Sequence, residues 1–209
     1  MALLHRAELR PSKLDLLTAW LPGRPWFAGT AGADVTRVAT FRFDDPAGEV
    51  GIETLLVRAG DGPVLQVPLT YRGGPLAGAD RWLVGTTEHS VLGPRWVYDA
   101  CADPVYTPAL AAAVLAGAGP AEEYFEVDGR RDVRPPNMTI TGSHPGGEPP
   151  AVGVPGEVVD GNPTLIRTDQ VELAVVRQPA GAEAPSDAWL AGAWPGQATP
   201  LLLAYAVAR

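Results

Sequence analysis

The stretch from Trp82 to Tyr106 reads Trp-Leu-Val-Gly-Thr-Thr-Glu-His-Ser-Val-Leu-Gly-Pro-Arg-Trp-Val-Tyr-Asp-Ala-Cys-Ala-Asp-Pro-Val-Tyr and separates two dissimilar halves of the chain. It contains Cys101, which is the only cysteine. Its pattern predicts a strand, a turn at Gly93-Pro94, a short aromatic strand, and a helix that begins near Pro104. Strand patterns dominate the chain before this stretch, and the chain after it is rich in proline. We therefore expect the architecture to change here.

The composition restricts the class of protein. The chain has 209 residues, of which 46% are apolar, and its formal net charge is −8. An acidic protein is a poor partner for nucleic acid or anionic membranes, because both favour clustered lysine and arginine. A single cysteine excludes an internal disulfide, and the sequence has neither a signal-peptide pattern nor an apolar run of membrane-spanning length. We predict a cytoplasmic protein that binds neither nucleic acid nor membrane.

The first half has the pattern of an antiparallel sheet with one helix packed on it. Ser12 and Asp15 form a variant of the capping box that begins helices. Four strands are predicted at residues 35–43, 52–58, 64–71 and 82–88, with a hairpin signal at Asp61-Gly62. This part of the chain forms the first predicted module.

The second half is predicted to hold one helix and several short strands. The helix spans residues 106–116, strands lie at 123–127, 138–141 and 201–207, a hairpin joins 164–167 to 171–177, and residues 180–200 are a loop. Together the two halves predict an α+β fold, with antiparallel sheets and a few packed helices.

A candidate aromatic cluster lies at Trp20, Trp26 and Phe27. Aromatic planes of this kind stack on the apolar faces of sugar rings, so the cluster is a possible ligand site. The alternative is that the three side chains anchor the core beneath a rigid turn, and we favour it because aromatic residues dominate core burial.

Three polar residues, Glu88, His89 and Asp99, are the remaining candidates. Glu88 and His89 are adjacent on a predicted strand, where neighbouring side chains face opposite sides, so they do not easily act together. A pairing of Cys101 with His89 is conceivable, but a small buried apolar role for the cysteine is favoured. The histidines are scattered along the chain. We therefore predict no catalytic residue, no metal and no cofactor.

One segment carries a family resemblance. Trp20-Leu21-Pro22, followed by Arg24 and Trp26-Phe27-Ala28-Gly29, resembles the opening of actinobacterial maltokinases. Val67-Pro68-Leu69-Thr70-Tyr71 and the helix start at Asp103-Pro104 look similar to the N-terminal cap domain of the same family. The resemblance covers roughly residues 10–119. It implies a cap-like domain at residues 1–119.

The resemblance continues in weaker form beyond residue 119. Gly156-Glu157 and Asn162-Pro163-Thr164 look like a degenerate version of the small-lobe loop of those kinases, in which some phosphate binding stays an open question. Residues 171–177 correspond to the strand that carries the kinase lysine, and that position falls on Ala174. Without this ammonium a main contact to the triphosphate is lost, and Lys13 is the only lysine in the chain. The resemblance implies a degenerate kinase small-lobe-like domain at residues 120–209.

Two functional hypotheses follow from the resemblance. The favoured one is a non-catalytic binding or regulatory module linked to sugar-phosphate or α-glucan metabolism. The alternative is a sugar-kinase-related component that needs a separate catalytic lobe, since no segment of large-lobe type follows residue 207. The terminal strand at 201–207 is apolar on both sides, so we expect a homodimer or a protein partner. A sugar ligand is also possible.

Overall fold

The computed structural model describes residues 2–4, 7–127, 129–148 and 151–209. Within these ranges the chain has two α-helices, α1 (Lys13–Trp20) and α2 (Tyr106–Ala116). Neither is long and apolar enough to cross a bilayer. The strands are β1 (Ala2–Leu4), β2 (Leu9–Arg10), β3 (Val35–Phe43), β4 (Gly51–Ala59), β5 (Leu65–Arg72), β6 (Leu83–His89), β7 (Gly93–Asp99), β8 (Glu123–Val127), β9 (Arg130–Val133), β10 (Thr139–Gly142), β11 (Pro155–Val159), β12 (Thr164–Thr168), β13 (Val171–Val175), β14 (Trp189–Trp194) and β15 (Gln197–Ala208).

The first sheet has the strand order β2-β6-β7-β5-β4-β3, and all of its pairs are antiparallel. Helix α1 packs on one face, where Leu17 lies among Leu55, Val67 and Val97. The predicted capping box at Ser12 is confirmed, since its hydroxyl accepts from the Asp15 N–H and the Asp15 carboxylate accepts from the Ser12 N–H. The strands predicted before residue 90 are confirmed within one or two residues at each end.

The turn within the stretch from Trp82 to Tyr106 comes before the predicted position at Gly93-Pro94. Gly93 and Pro94 belong to β7, and residues 90–92 form the turn. The ring nitrogen Nδ1 of His89 accepts hydrogen bonds from the Val91 and Leu92 N–H groups, which closes the turn before glycine is reached. Gly93 then starts the return strand with φ of 72°, a left-handed conformation that a glycine adopts without strain.

Helix α2 lies between the two large sheets and ends at Gly117, whose φ is 67°. Its buried Leu110 and Val114 belong to one core cluster with Phe41 of the first sheet and Leu173 of the second. Close packing is possible because alanines fill much of the helix surface. The core therefore continues across residue 119, and the division into two modules at that residue stays a prediction.

The second large sheet has the order β10-β14-β15-β13-β12-β11, again antiparallel throughout. The predicted hairpin of β12 and β13 is confirmed. The prediction of a loop over residues 180–200 is wrong, because β14 lies within it and β15 begins at Gln197. Pro195 and Gly196 form the turn between them, and Gly196 has φ of 86°, so this proline-glycine pair closes a hairpin.

The predicted α+β fold class also needs a correction, because strands lie where loops were predicted. The chain is β-rich, with mostly antiparallel sheets and two short helices, so it is not clearly α+β. A small third sheet adds β1, β8 and β9, and its β1–β8 pair is parallel. Frequent glycine and proline residues broke the strand patterns into pieces that looked like loops, although they sit at hairpin turns and strand ends.

Candidate functional site

The aromatic cluster predicted from the sequence is built at the end of α1. The rings of Trp20 and Trp26 meet edge to face, with centroids 5.9 Å apart and an interplanar angle of 62°. Trp26 is 2% exposed, Trp20 is also buried, and Phe27 is half-buried against the same cluster. The Arg24 guanidinium lies 4.7 Å from the Trp20 ring centre. Such edge-to-face pairs add to the stability that comes from burial alone.

A charged group from the second half of the chain lies over the Trp26 ring. The guanidinium of Arg177, which comes from the other half of the chain, lies 4.5 Å from the ring centre. The indole N–H donates to the Asp160 carboxylate at 2.7 Å, and the Trp26 carbonyl accepts from the Gln178 side chain at 2.9 Å. A sugar has no open indole face to stack on here. The arrangement favours a core anchor, which stays a prediction until its stability effect is measured.

Asp99 forms an ion pair with the same Arg177. We call the place where β7 of the first sheet meets the segment after β13 the junction. The Arg177 Nη2 to Asp99 Oδ2 distance is 2.6 Å, and both side chains are fully buried. Arg177 also donates to the Thr164 hydroxyl at 2.8 Å, and Asp99 accepts from the Cys101 N–H at 3.0 Å. Burial alone would lower the pKa of Arg177, but the Asp99 carboxylate outweighs it and the pKa is raised. This guanidinium is committed to the protein interior and is not presented to a phosphate.

Cys101 is buried in the same junction. Burial raises the pKa of its thiol well above the ordinary value, although the nearby Arg177 acts in the opposite direction. A thiol that stays protonated is a weak nucleophile. His89, the partner considered in the sequence, lies at the other end of the β6–β7 hairpin. Because a strand rises about 3.3 Å per residue, the two side chains are about 20 Å apart.

Glu88 and His89 are therefore not brought together with Asp99. Glu88 is exposed on β6, and its strand neighbour on β2 is Arg10. His89 is half-buried, with Nδ1 accepting from two backbone N–H groups of the turn that follows it. This arrangement gives His89 a structural task in the hairpin.

A buried charge cluster that the sequence did not reveal lies on the α1 face of the first sheet. Glu53, 4% exposed, forms an ion pair with Lys13 of α1. Its carboxylate also accepts from the Tyr71 hydroxyl at 2.8 Å and lies 3.1 Å from Arg42 Nη2. The sequence signal was present, because Glu53 interrupts the apolar strand β4 and Lys13 is the only lysine. Neither fact by itself identifies the partner.

The ionisation of this cluster follows from burial and charge. Burial would raise the pKa of Glu53, but the Lys13 ammonium and the Arg42 guanidinium outweigh it and hold the pKa well below its usual range. Burial lowers the pKa of Lys13, and Glu53 only partly restores it. Burial and the Glu53 charge both raise the pKa of Tyr71, which stays protonated as a donor. At neutral pH the cluster holds a carboxylate surrounded by donors.

The cluster extends to the surface through Arg42. Its Nε lies 3.2 Å from Glu123 Oε1, and Arg134 Nη1 lies 3.2 Å from the other oxygen of Glu123. These three residues border a cavity of about 270 Å³ between β3 and residues 120–123 and 133–138. Within the described residues, no group of three or more His, Cys, Asp or Glu side chains is placed to hold a metal ion.

The second sheet presents a distinct surface, which we call the outer face. Leu173, Val175, Ala204 and Ala206 point into the core, so the alternating residues on β13 and β15 point the other way. Strand register aligns a row across the sheet that runs Leu165, Ala174, Tyr205 and Trp189, and these four residues define the outer face. Ala174 is fully buried, while the other three are half-buried.

Comparison with known proteins gives one finding, and it concerns the first sheet. This sheet is β-rich and antiparallel, with a single helix on one face. Residues 20–103 match the family of the maltokinase N-terminal cap domain. Over these residues the chain is similar to the maltokinase N-terminal cap domain. The match spans β3 to β7 and covers less than half of the 209 residues. The curated proteins contain no significant match.

Proposed function

We propose that this chain is a non-catalytic module that docks onto a protein partner, and that the partner works in α-glucan or sugar-phosphate metabolism. The cap-domain match supports the link to that metabolism by family relationship. The single observation that carries the docking proposal is the row of half-buried aromatic and apolar residues on the outer face, because both faces of the first sheet contribute to buried cores.

The residue types of the outer face support binding to protein. Tyr205 and Trp189 are opposite each other on neighbouring strands, and Leu165 continues the apolar row. Arg167 borders it, held at 2.8 Å by Glu172. Tyrosine, tryptophan and arginine are the residues most enriched among those that dominate binding energy at protein interfaces. Helix α2 packs on the opposite face of this sheet, so the row is not the side that faces the core.

We also propose that residues 120–209 are a degenerate kinase small lobe and that the protein is cytoplasmic. Under this proposal the lysine position is Ala174, which is buried in the outer face. The small lobe of a kinase contacts a large lobe, so a docking surface on this module accords with its proposed origin. The partner would be either an orphan catalytic lobe or another protein. The first of these corresponds to the enzyme-component alternative.

The test compares capture of partners by parent and variant proteins from native lysate. A Trp189→Ala/Tyr205→Ala variant should lose the captured partner, because it removes both aromatic side chains of the outer face. Val91→Ala is the matched control, since Val91 is 56% exposed but lies at the hairpin tip of the first sheet. If the control loses the partner and the double variant keeps it, the docking proposal is wrong.

Light scattering separates the two kinds of partner. A homodimer would give twice the 21.9 kDa of the chain, and the double variant would return it to 21.9 kDa. A chain that stays at 21.9 kDa at high concentration and captures nothing has no partner, which contradicts the proposal. Capture of a chain with kinase large-lobe sequence would select the enzyme-component alternative.

A further inference from the structure

The cavity beside the charge cluster has the size and lining of a small-molecule site. Its volume is about 270 Å³, and an engineered apolar cavity of about 150 Å³ is known to hold benzene. Phe41, Val133 and Met138 supply apolar wall, and proline rings from the segment at residues 120–138 extend it. One aromatic ring with a short substituent fits this volume.

The polar side of the cavity carries donors held in fixed positions. Glu123 keeps Arg134 in place twice, through the 3.2 Å side-chain contact and through its carbonyl, which accepts the Arg134 N–H at 2.8 Å. Arg134 is 35% exposed on its side chain and retains further N–H groups that these contacts do not use. Arg42 is held between Glu53 and Glu123.

Arg42 belongs to the same charged wall. Its Nε is buried and lies 3.2 Å from Glu123 Oε1, so its charge is matched by that carboxylate although the pair is not aligned as a hydrogen bond. Both oxygens of Glu123 already face guanidiniums. The hydrogen-bonding groups that remain at this wall are therefore N–H donors, which bind an acceptor.

We propose that this cavity binds a small aromatic carboxylate, with the ring against Phe41, Val133 and Met138 and the carboxylate on the guanidinium of Arg134. Charge-assisted bonds from arginine to carboxylate are the strong and geometrically specific ones. A doubly charged phosphate is disfavoured because Glu123 lies beside the same donors. The site is separate from the outer face and does not depend on docking there.

The test uses three probes that share one ring: phenylacetate, the neutral phenylacetamide and the cationic phenethylamine. Phenylacetate should bind the parent protein with a Kd of about 1 mM or tighter, and the other two should bind about tenfold more weakly. Chemical shifts should change at residues 120–123, at residues 133–138 and along β3. Equal binding of all three probes, no binding of phenylacetate, or shifts confined to the second sheet would overturn the proposal.

Variants supply an independent check. Arg134→Gln should weaken phenylacetate binding about tenfold by removing the charged donor. Arg130→Gln is the matched control, because Arg130 is exposed on β9, the strand that ends just before Arg134, and does not line the cavity. Val133→Trp, at a position that is 48% exposed, should fill the cavity and abolish binding. If Arg134→Gln binds like the parent, or Arg130→Gln loses affinity equally, the proposed site is wrong.

Discussion

The two six-stranded sheets are similar in size and topology but differ in how they are covered. The first sheet is buried on both faces, by α1 on one side and by α2 with the second sheet on the other. The second sheet buries the face that meets α2, and on its other face Tyr205, Trp189 and Leu165 are only half-buried. A sheet that is covered on both faces contributes stability. The outer face of its neighbour is the surface at which we propose that a partner binds.

The junction between the two sheets differs from both apolar cores, because polar side chains connect the sheets there. The Gln66 side chain donates to the Val176 carbonyl at 2.9 Å and to the Leu203 carbonyl at 2.8 Å, which ties the first sheet to the second. The Asp99–Arg177 pair adds a fully buried ionic contact. Buried hydrogen bonds and ion pairs of this kind favour one arrangement of the elements they join.

The largest expected effect separates the two aromatic regions. Trp26→Ala should lower the free energy of unfolding by about 3–5 kcal/mol, because it empties a large core site and uncovers Arg177. Trp189→Ala, on the half-exposed outer face, should cost clearly less. Urea denaturation measures both. If Trp26→Ala unfolds like the parent and loses a sugar ligand instead, the core-anchor interpretation is wrong and the aromatic-platform alternative is correct.

Asp99→Asn tests the junction and should lower the free energy of unfolding by about 3 kcal/mol. The substitution keeps the shape but leaves the buried Arg177 guanidinium without its counter-charge. Asp187→Asn is the control, since Asp187 is exposed. Chemical denaturation with equal slopes for parent and variant gives the comparison. Equal stability of the two variants would mean that the ion pair does not hold the sheets together.

Part of this architecture was predictable from the sequence. The period-two pattern of β3 to β5, the capping box at Ser12 and the hairpin at β12–β13 are local signals, and each was read correctly. Which side chains contact each other across the fold does not follow from local sequence. Asp99 and Arg177 are 78 residues apart in the chain, and Lys13 and Glu53 are 40 apart, so only the folded topology shows that they meet. The cavity is equally nonlocal, because β3 and the segment at 120–138 form it together.

Glu53→Gln tests the charge cluster on the covered sheet. At pH 7 it should lower the free energy of unfolding by about 2 kcal/mol, less than the Asp99 variant, because Lys13 is 25% exposed and solvent can rehydrate it. The folded-state pKa of Glu53 is below its unfolded value of about 4, so this stabilisation is fully present above that pH. It should disappear as the pH falls further.

The measurement for this cluster is urea denaturation across the acid range. The difference between parent and Glu53→Gln should shrink below about pH 4, where only the parent loses the contribution of this carboxylate. Glu49→Gln, at an exposed position of the same sheet, should show no such convergence. A parent–variant gap that stays constant down to low pH would show that Glu53 is not held ionised by its neighbours.

The smallest expected effect concerns ATP, for which we expect no binding. ATP with Mg²⁺ should not bind measurably, because Ala174 stands at the proposed lysine position and Arg177 is committed to Asp99. Titration calorimetry tests this directly. Micromolar binding of ATP would contradict the non-catalytic proposal and favour the enzyme-component alternative.

The outer face is the central claim, and site-specific photo-crosslinking in native cells tests it most directly. A photoreactive phenylalanine analogue at position 205 should form a defined adduct with one protein, either a second copy or another chain. The same analogue at position 91, at the exposed hairpin tip of the first sheet, should not form it. An adduct from position 91 alone, or no adduct from position 205, would contradict the assignment of docking to the second sheet.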